Sequence, residues 1–380
     1  MNFFNYKRIV LVLLVVSSFY SCQDEFIHQQ DEEQVPATQK IVLANTYTLN
    51  PELLTGVICH KGVIWFNDIR FYEKITSLLD SETEMWRNNF YASNEVSNLN
   101  TEEEIYDKYI ETGYNLEAVY DTWEAALSHY SLRKNIENSI DVWLDCRILD
   151  TLNSPDDHFI VDETQRSIMN LDCMVAVGPS LYITLPDYDV LEYPMTYKGN
   201  NLNTKELEKA IEFLLKIRDK DKAEFKKLHK EGVIKYHPNI VENEYKVEYK
   251  NNRFQNGTKH WTSYGKDYWM KVRFGVRNTP IGHYIKATNR IYKKYVNWLG
   301  NERWRRSHIS NGLAISGKVY KSSDVSNTHN YYGNQTVKNW KNKYKYYYNM
   351  SFKIKTGENF SSHWVNGQEN SVTKYMTLSW

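Results

Sequence analysis

Residues 343–355 read KYKYYYNMSFKIK. Tyr344, Tyr346, Tyr348, Met350, Phe352 and Ile354 fall on one side of a period of two. Lys343, Lys345, Tyr347, Asn349, Ser351, Lys353 and Lys355 fall on the other. An extended chain sends successive side chains to opposite faces, so this stretch predicts a half-buried antiparallel strand. The same period runs upstream. Met270, Val272, Phe274 and Val276 alternate with Lys271, Arg273 and Arg277, and Leu313, Ile315 and Val319 repeat the pattern. Residues 283–299 suit helix and strand alike, and their surroundings favour strand. Ser371 to Trp380 alternates as well. Residues 251–380 are therefore expected to form an antiparallel β-sandwich or small barrel, with loops rich in Asn, Gly and Ser.

The rest of the chain follows a different period, and the whole is α+β. Val63–Phe66 is a short apolar strand, followed by Asn67 and Asp68 as helix caps. Phe66, Ile69, Tyr72, Ile75 and Leu79 then recur at helical spacing, which predicts a helix to about Leu79. Residues 82–92 and 101–130 are acidic, free of proline and studded with Trp86, Phe90, Ile105, Tyr109, Tyr120 and Trp123, as helices packed on one another would be. Asn153 to Asp157 breaks the pattern. Val175–Gly178 and Leu181–Ile183 read as two short strands about a turn. Residues 204–231 predict one helix, capped by Asn203 and Glu206 and stopped by Gly232, that bridges the two parts as a solvated connector. The expected organisation is an acidic, mainly helical domain at 41–200, a helix and connector at 201–250 and a β domain at 251–380.

Charge divides the same way. The 47 acidic and 47 basic residues cancel, but residues 1–250 hold 42 acids against 25 bases, and residues 251–380 hold 5 against 22. Such opposition is a statement about partners and fields.

The N-terminus has Lys7 and Arg8 before an apolar run, Ile9 to Val16, roughly half the ~20 residues a membrane-spanning helix needs. Phe19-Tyr20-Ser21-Cys22 resembles the lipobox of bacterial lipoproteins, which implies a signal peptide at 1–21 and lipid on Cys22. Several acyl chains on one residue anchor stably in a membrane. Gln23-Asp24-Glu25 resembles the export signal of Bacteroidota surface lipoproteins, which implies an outer-membrane address facing outward. Residues 22–40 are polar and make a tether. Further on, the strand at 63–66, the acidic helices, the Pro155-Asp156 break, Ile168-Met169-Asn170 and the pattern Val177-Gly178-x-x-x-Tyr182-Ile183 resemble the N-terminal module of an uncharacterised group of Bacteroidota surface lipoproteins. That likeness covers residues 60–190 and implies an address, not a chemistry.

No motif points to catalysis. Gly312 to Lys318 comes close to a phosphate-binding loop, but Val319 stands where that loop needs Ser or Thr, and the segment reads as strand. No His-Glu-x-x-His and no Gly-x-Ser-x-Gly is present. His158 beside Asp156 and Asp157 offers metal-ligand chemistry, although a solvated turn explains the cluster as well. Asp150-Thr151-Leu152 resembles a Bacteroidota O-glycosylation triplet. With Cys22 lipidated, Cys59, Cys146 and Cys173 allow at most one disulfide and read as small apolar residues. No cofactor and no metal is expected.

What remains is a basic, aromatic C-terminal surface: Trp261, Tyr264 and Trp269, the tetrad Arg303-Trp304-Arg305-Arg306, and Trp340, Lys341 and Lys343. Rings stack on sugars or bases while cations neutralise sulfate, carboxylate or phosphate. The expectation is a surface lipoprotein, leaning away from enzymatic activity, that binds an anionic polymer (acidic glycan, lipopolysaccharide or extracellular DNA). Two alternatives stand beside it. One is a structural or adhesive envelope protein whose oppositely charged parts pair with each other or with a protein partner. The other is a glycan-active enzyme whose carboxylates would have to lie in the acidic half.

Overall fold

The structure, a computed structural model, describes residues 46–93, 95–145, 155–160, 162–196, 201–242, 248–250, 253–263, 266–280, 282–296, 302–321, 323–338, 341–347, 352–355, 357–366 and 373–379. Cys22, Tyr264 and Trp340, with the signal peptide, tether and glycosylation triplet, lie outside these residues.

Val57–His60 (β1) and Val63–Phe66 (β2) form a hairpin, after which the chain leaves for a helical excursion. Asp68 starts the first helix by accepting from the amides of Arg70 and Phe71, so Ile69–Ala92 (α1) has a capped end. Glu102–Thr112 (α2) begins with a Thr101–Glu104 capping box and ends at Gly113, whose φ of 60° is open to glycine. Ala118–Ala126 (α3), Leu132–Asp145 (α4) and the short Glu163–Ile168 (α5) follow. The chain then returns as Met174–Val177 (β3), parallel to β2, and meanders through Ser180–Thr184 (β4) and Val190–Pro194 (β5). After Thr204–Ile217 (α6) and Lys222–Lys230 (α7), Lys235–His237 (β6) completes a six-stranded sheet in the order β1-β2-β3-β4-β5-β6. Every residue of β2 and β3 is buried, because both faces are covered. Ile64, Phe66, Val175 and Val177 meet Tyr72, Ile75, Val119, Trp123 and Ile136 from α1, α3 and α4. Val63, Trp65, Met174, Ala176 and Leu191 meet Leu207, Ala210 and Leu214 of α6 and Phe225 of α7.

A short ribbon, Ile240–Glu242 (β7) with Glu248–Lys250 (β8), leads to two larger sheets. The first is built on Arg253–Ser263 (β9), Lys266–Thr279 (β10) and Gly282–Val296 (β11). Glu302–Arg306 (β12) and, further on, Lys341–Tyr347 (β15) share the free edge of β11. The second runs β14-β13-β17-β18, from Ser310–Lys321 (β13), Asp324–Lys338 (β14), Asn359–Asn366 (β17) and Thr373–Ser379 (β18), with Phe352–Lys353 (β16) on the end of β13. Phe274, Val276, Ile285 and Ala287 of the first sheet pack on Leu313, Ile315, Val319, Tyr331, Phe352 and Ile354 of the second region. The C-terminal part is a sandwich of antiparallel strands, and the described residues form no closed barrel. The chain is α+β, as its two periods predict.

Four expectations need correction. The alternating run at 343–355 is not one strand: β15 belongs to the first sheet and β16 to the second, with residues 348–351 outside the described set. Both pieces keep the period, so the pattern carries no sign of the crossing. The first helix does not end near Leu79 but continues to Ala92, absorbing the segment at 82–92. The helix at 204–231 breaks after Ile217, and Asp221 caps a second helix by accepting from the Glu224 amide. Nor is it a solvated connector: Leu207, Ala210 and Leu214 are fully buried against the six-stranded sheet.

Candidate functional site

The period of two divides the first C-terminal sheet into an apolar face, turned to the sandwich core, and a cationic face. On the cationic face Lys271 stands opposite Arg290, Lys286 opposite Lys345, and Arg290 opposite Lys341. Like charges directly across a ladder repel. Carboxylates of the helical part intervene. Asp162, the N-cap of α5, reaches Lys286 at 3.0 Å and Lys345 at 2.9 Å. Asp80 of α1 reaches Lys343 at 2.9 Å and Lys345 at 3.0 Å. Glu163 meets Lys341, Arg290 and Arg87. Asp156 binds Arg166 at 2.8 Å, Arg290 at 3.3 Å and Arg273 at 3.4 Å, and Asp157 takes Lys271 at 2.7 Å. Glu137 of α4 holds Arg290 and Arg306, and Glu102 and Glu103 of α2 hold Lys293. The acidic and basic halves thus close on one another along a buried ionic seam.

Burial sets the electrostatics of this seam. Desolvation alone would raise the Asp80 and Asp156 carboxyls, but the surrounding cations win: Lys343 and Lys345 hold Asp80, and Arg290, Arg273 and Arg166 hold Asp156, well below the usual carboxylate range. Lys286 goes the other way. Burial, with Lys343 and Lys345 as like-charged neighbours, outweighs Asp162 and pushes it down to about 7. Lys341 falls to about 8 for the same leading reason.

The residues singled out from sequence meet different fates. Lys341 and Lys343 lie on the seam, at 5% exposure for Lys341, and face carboxylates rather than solvent. Within β15 Lys343 and Lys345 are more deeply covered than Tyr346 beside them, whereas beyond it Phe352 and Ile354 are buried and Lys355 is exposed. Arg306 binds Glu137 and Asp141, and Arg305 lies over the Tyr106 ring at 3.8 Å. Trp304 packs on the helical core, in edge contact with Trp269. Trp269 is fully buried and stacks on Tyr292 and His260, and Trp261 stacks on Tyr268. Arg303 is half-buried, donating to the Glu302 carbonyl. The aromatic cluster and three of the tetrad's four side chains thus serve contacts within the protein.

Asp156 and Asp157 are engaged by arginine and lysine, and His158, pushed down to about 4 by burial and by Arg166 and Arg273, lies 3.9 Å from the Cys173 sulfur. The described residues hold no cluster of three metal-ligating side chains. Cys59 and Cys173 are free thiols, each raised by burial. Cys59 sits 3.9 Å from His129, which burial lowers, so neither Cys–His pair is a thiolate–imidazolium couple. One arrangement escaped sequence reading altogether: Ser361 Oγ lies 2.8 Å from His363 Nε2, and His363 Nδ1 contacts Asn289 Oδ1. It has the order of a nucleophile, a base and an orienting group. Its members are at most 1% exposed, and burial pushes His363 down to about 3, so it is a satisfied core network closed to substrate. A cleft of about 30 Å³ opens at the rim of the seam between Glu84, Arg87, Lys341 and Lys343, with room for little more than water. No protein-family model, no curated protein and no solved structure matches this chain.

Proposed function

We propose that this chain is a lipid-anchored protein of the outer membrane, displayed on the cell surface, which holds an extracellular polymer or partner and performs no catalysis. Cys22 and the acidic residues after it support the address. The ionic seam carries the rest. Its carboxylates, which include the acidic half's most strongly perturbed groups, are each committed to a buried cation. Acid–base chemistry needs such groups open to a substrate. The seam also favours the adhesive reading in which the two charged halves pair within one molecule, and it draws the polymer reading away from Arg305, Arg306, Lys341 and Lys343.

The test is protease shaving of intact cells that produce the wild type or Cys22→Ala. The wild type should be cut at the surface and Cys22→Ala should be released and protected. A wild-type protein that resists protease until the cells are broken would refute the surface role.

A further inference from the structure

One ion pair of the seam is placed for chemistry as well as for charge. Lys341 opens β15 and Glu163 is the first residue of α5, so the pair joins the β domain to the helical part. Lys341 Nζ and Glu163 Oε1 are in direct contact, and the two side chains are 3% and 2% exposed, which keeps bulk water from both. Two guanidiniums flank the carboxylate: Arg87 Nη1 stands 3.4 Å from Oε2, and Arg290 Nη2 stands 3.7 Å from Oε1. A proton acceptor is at hand as well. Glu117 pairs with Arg87 through Oε1, while its buried Oε2 accepts no hydrogen bond from the described residues. Elsewhere on the seam these ingredients are separated. Asp80 and Asp162 sit among lysines, and Asp156 sits among arginines. At Glu163 an amine and two guanidiniums meet on one carboxylate.

We propose that Lys341 and Glu163 condense into an isopeptide bond once the chain has folded, tying the helical part covalently to the β domain. Glu117 takes a proton from the Lys341 ammonium, and the Nζ lone pair attacks Glu163 Cδ. Arg87 and Arg290 hold the negative charge that gathers on the carboxyl oxygens. The nitrogen's second proton and the one on Glu117 then leave with one of those oxygens as water. An ion pair becomes a neutral amide and one water, so atoms and charge balance and no co-reactant is needed. Two conditions favour the step. Groups held in contact react at effective concentrations that reach about 10⁵–10⁸ M. A buried ion pair also bears a desolvation cost that a neutral amide escapes. Burial, working against the pull of Glu117 and Glu137, lowers the Lys341 amine to about 8, so a fraction of it is unprotonated near neutral pH. The newly folded chain holds the free pair, and the amide follows. Cys59 and Cys173 are free thiols and supply no such tie. The bond does not depend on where the protein is displayed.

The experiment is a tryptic map of the full chain, purified in detergent, sampled at intervals after refolding and unfolded in urea before digestion. Trypsin cuts after a free lysine and not after an acylated one. The proposal expects residues 148–166 and 339–343 in one branched peptide, uncut after Lys341 and lighter than the sum of its two parts by one water. That peptide should accumulate with time, and it should be missing from chain kept in urea throughout and from Glu163→Ala and Lys341→Arg. Glu117→Gln should slow its appearance by about 100-fold or more, and an unchanged rate would remove Glu117 as the proton acceptor. Tryptophan fluorescence equal to the wild type's establishes that each variant is folded. The wild-type map decides the proposal without any variant. Complete cleavage after Lys341 with residues 148–166 recovered unlinked at every time would overturn it. So would a branched peptide that forms in urea, or one joined through Lys286, Lys343 or Lys345 instead.

Discussion

Asp80→Asn is the sharpest perturbation of the seam. Asp80 lies in the middle of α1, 8% exposed, with Lys343 at 2.9 Å and Lys345 at 3.0 Å on its two oxygens. Asparagine keeps the size of the side chain and can still accept from the Thr164 hydroxyl, which donates to Asp80. Only the charge is lost. Lys345 retains Asp162 at 2.9 Å, but Lys343 is left buried without its carboxylate. Removing one partner of a buried pair costs about 3–5 kcal/mol, because the surviving charge remains desolvated. That is a shift of roughly 150- to 5,000-fold in the unfolding equilibrium. Asp187→Asn is the control: its pair with Lys222 at 2.8 Å is about half exposed, and such pairs are worth about 0–1 kcal/mol. Urea unfolding followed by tryptophan fluorescence suits the measurement, since Trp123 and Trp269 are fully buried on opposite sides of the seam. The double variant Asp80→Asn/Lys343→Met should recover much of the loss, since removing both charges leaves neither uncompensated. If Asp80→Asn costs no more than Asp187→Asn, or if the double variant costs the sum of the two singles, the seam is not an electrostatic lock.

Three further outcomes are expected. Stability should rise between pH 7 and 8.5: Lys286, at about 7, and Lys341, at about 8, release protons in the folded state that the unfolded chain keeps up to about 10.4, giving at most about 1.4 kcal/mol per pH unit for each lysine. Above that window the Cys173 thiol, pushed up to about 12 by burial, acts with the opposite sign; urea midpoints taken at half-unit steps would read the slope, and a flat or falling profile would count against it. Gly312→Ala should displace the Trp364 ring, which stands 2.1 Å from the new Cβ, and lower stability by about 1–3 kcal/mol, seen as a lower thermal midpoint. Leu214→Ala, at 0% exposure between α6 and the six-stranded sheet, should cost about 2–5 kcal/mol, whereas a free connector helix would lose almost nothing.

Much of this architecture was legible because period and burial go together. The alternations at 270–277 and 313–319 mark strands β10 and β13, and the caps at Asp68, Asn203 and Gly232 fall where the helices begin and end. What a period does not state is the identity of the neighbour. Lys343 and Lys345 alternate with tyrosines as they would on a solvated face, yet long-range pairing with Asp80 and Asp162 covers them. The signal for that cover was present in bulk, as the 42-to-25 and 5-to-22 division of charge, but not at any single position. β14 went unread because DVSNTHNYYGNQTVK is polar on both faces; its pairing comes from β13. The break between α6 and α7 was missed because Arg218-Asp219-Lys220 contains neither glycine nor proline, and Asp221 was the one available mark. The close approach of Trp364 to Gly312 follows from register alone: the two are far apart in sequence, and only the pairing of β13 with β17 brings them side by side.

The seam bears on partner choice as well as on stability. Buried ion pairs add little net energy over well-packed apolar residues, because desolvation offsets attraction; their better-attested contribution is to fix one arrangement among many. Here the arrangement is the docking of α1, α4 and α5 on one face of the first sheet. Lys286, Lys345 and Arg290 each need a carboxylate at a set place, and a shift of one residue in β15 would turn its lysines into the sandwich core. The same pairing takes up part of the charge excess of the C-terminal strands internally. A basic patch steers any polyanion that diffuses near it and loses its hold as salt rises. Closing the cationic face within the protein therefore withdraws Lys286, Lys343 and Lys345 from such steering.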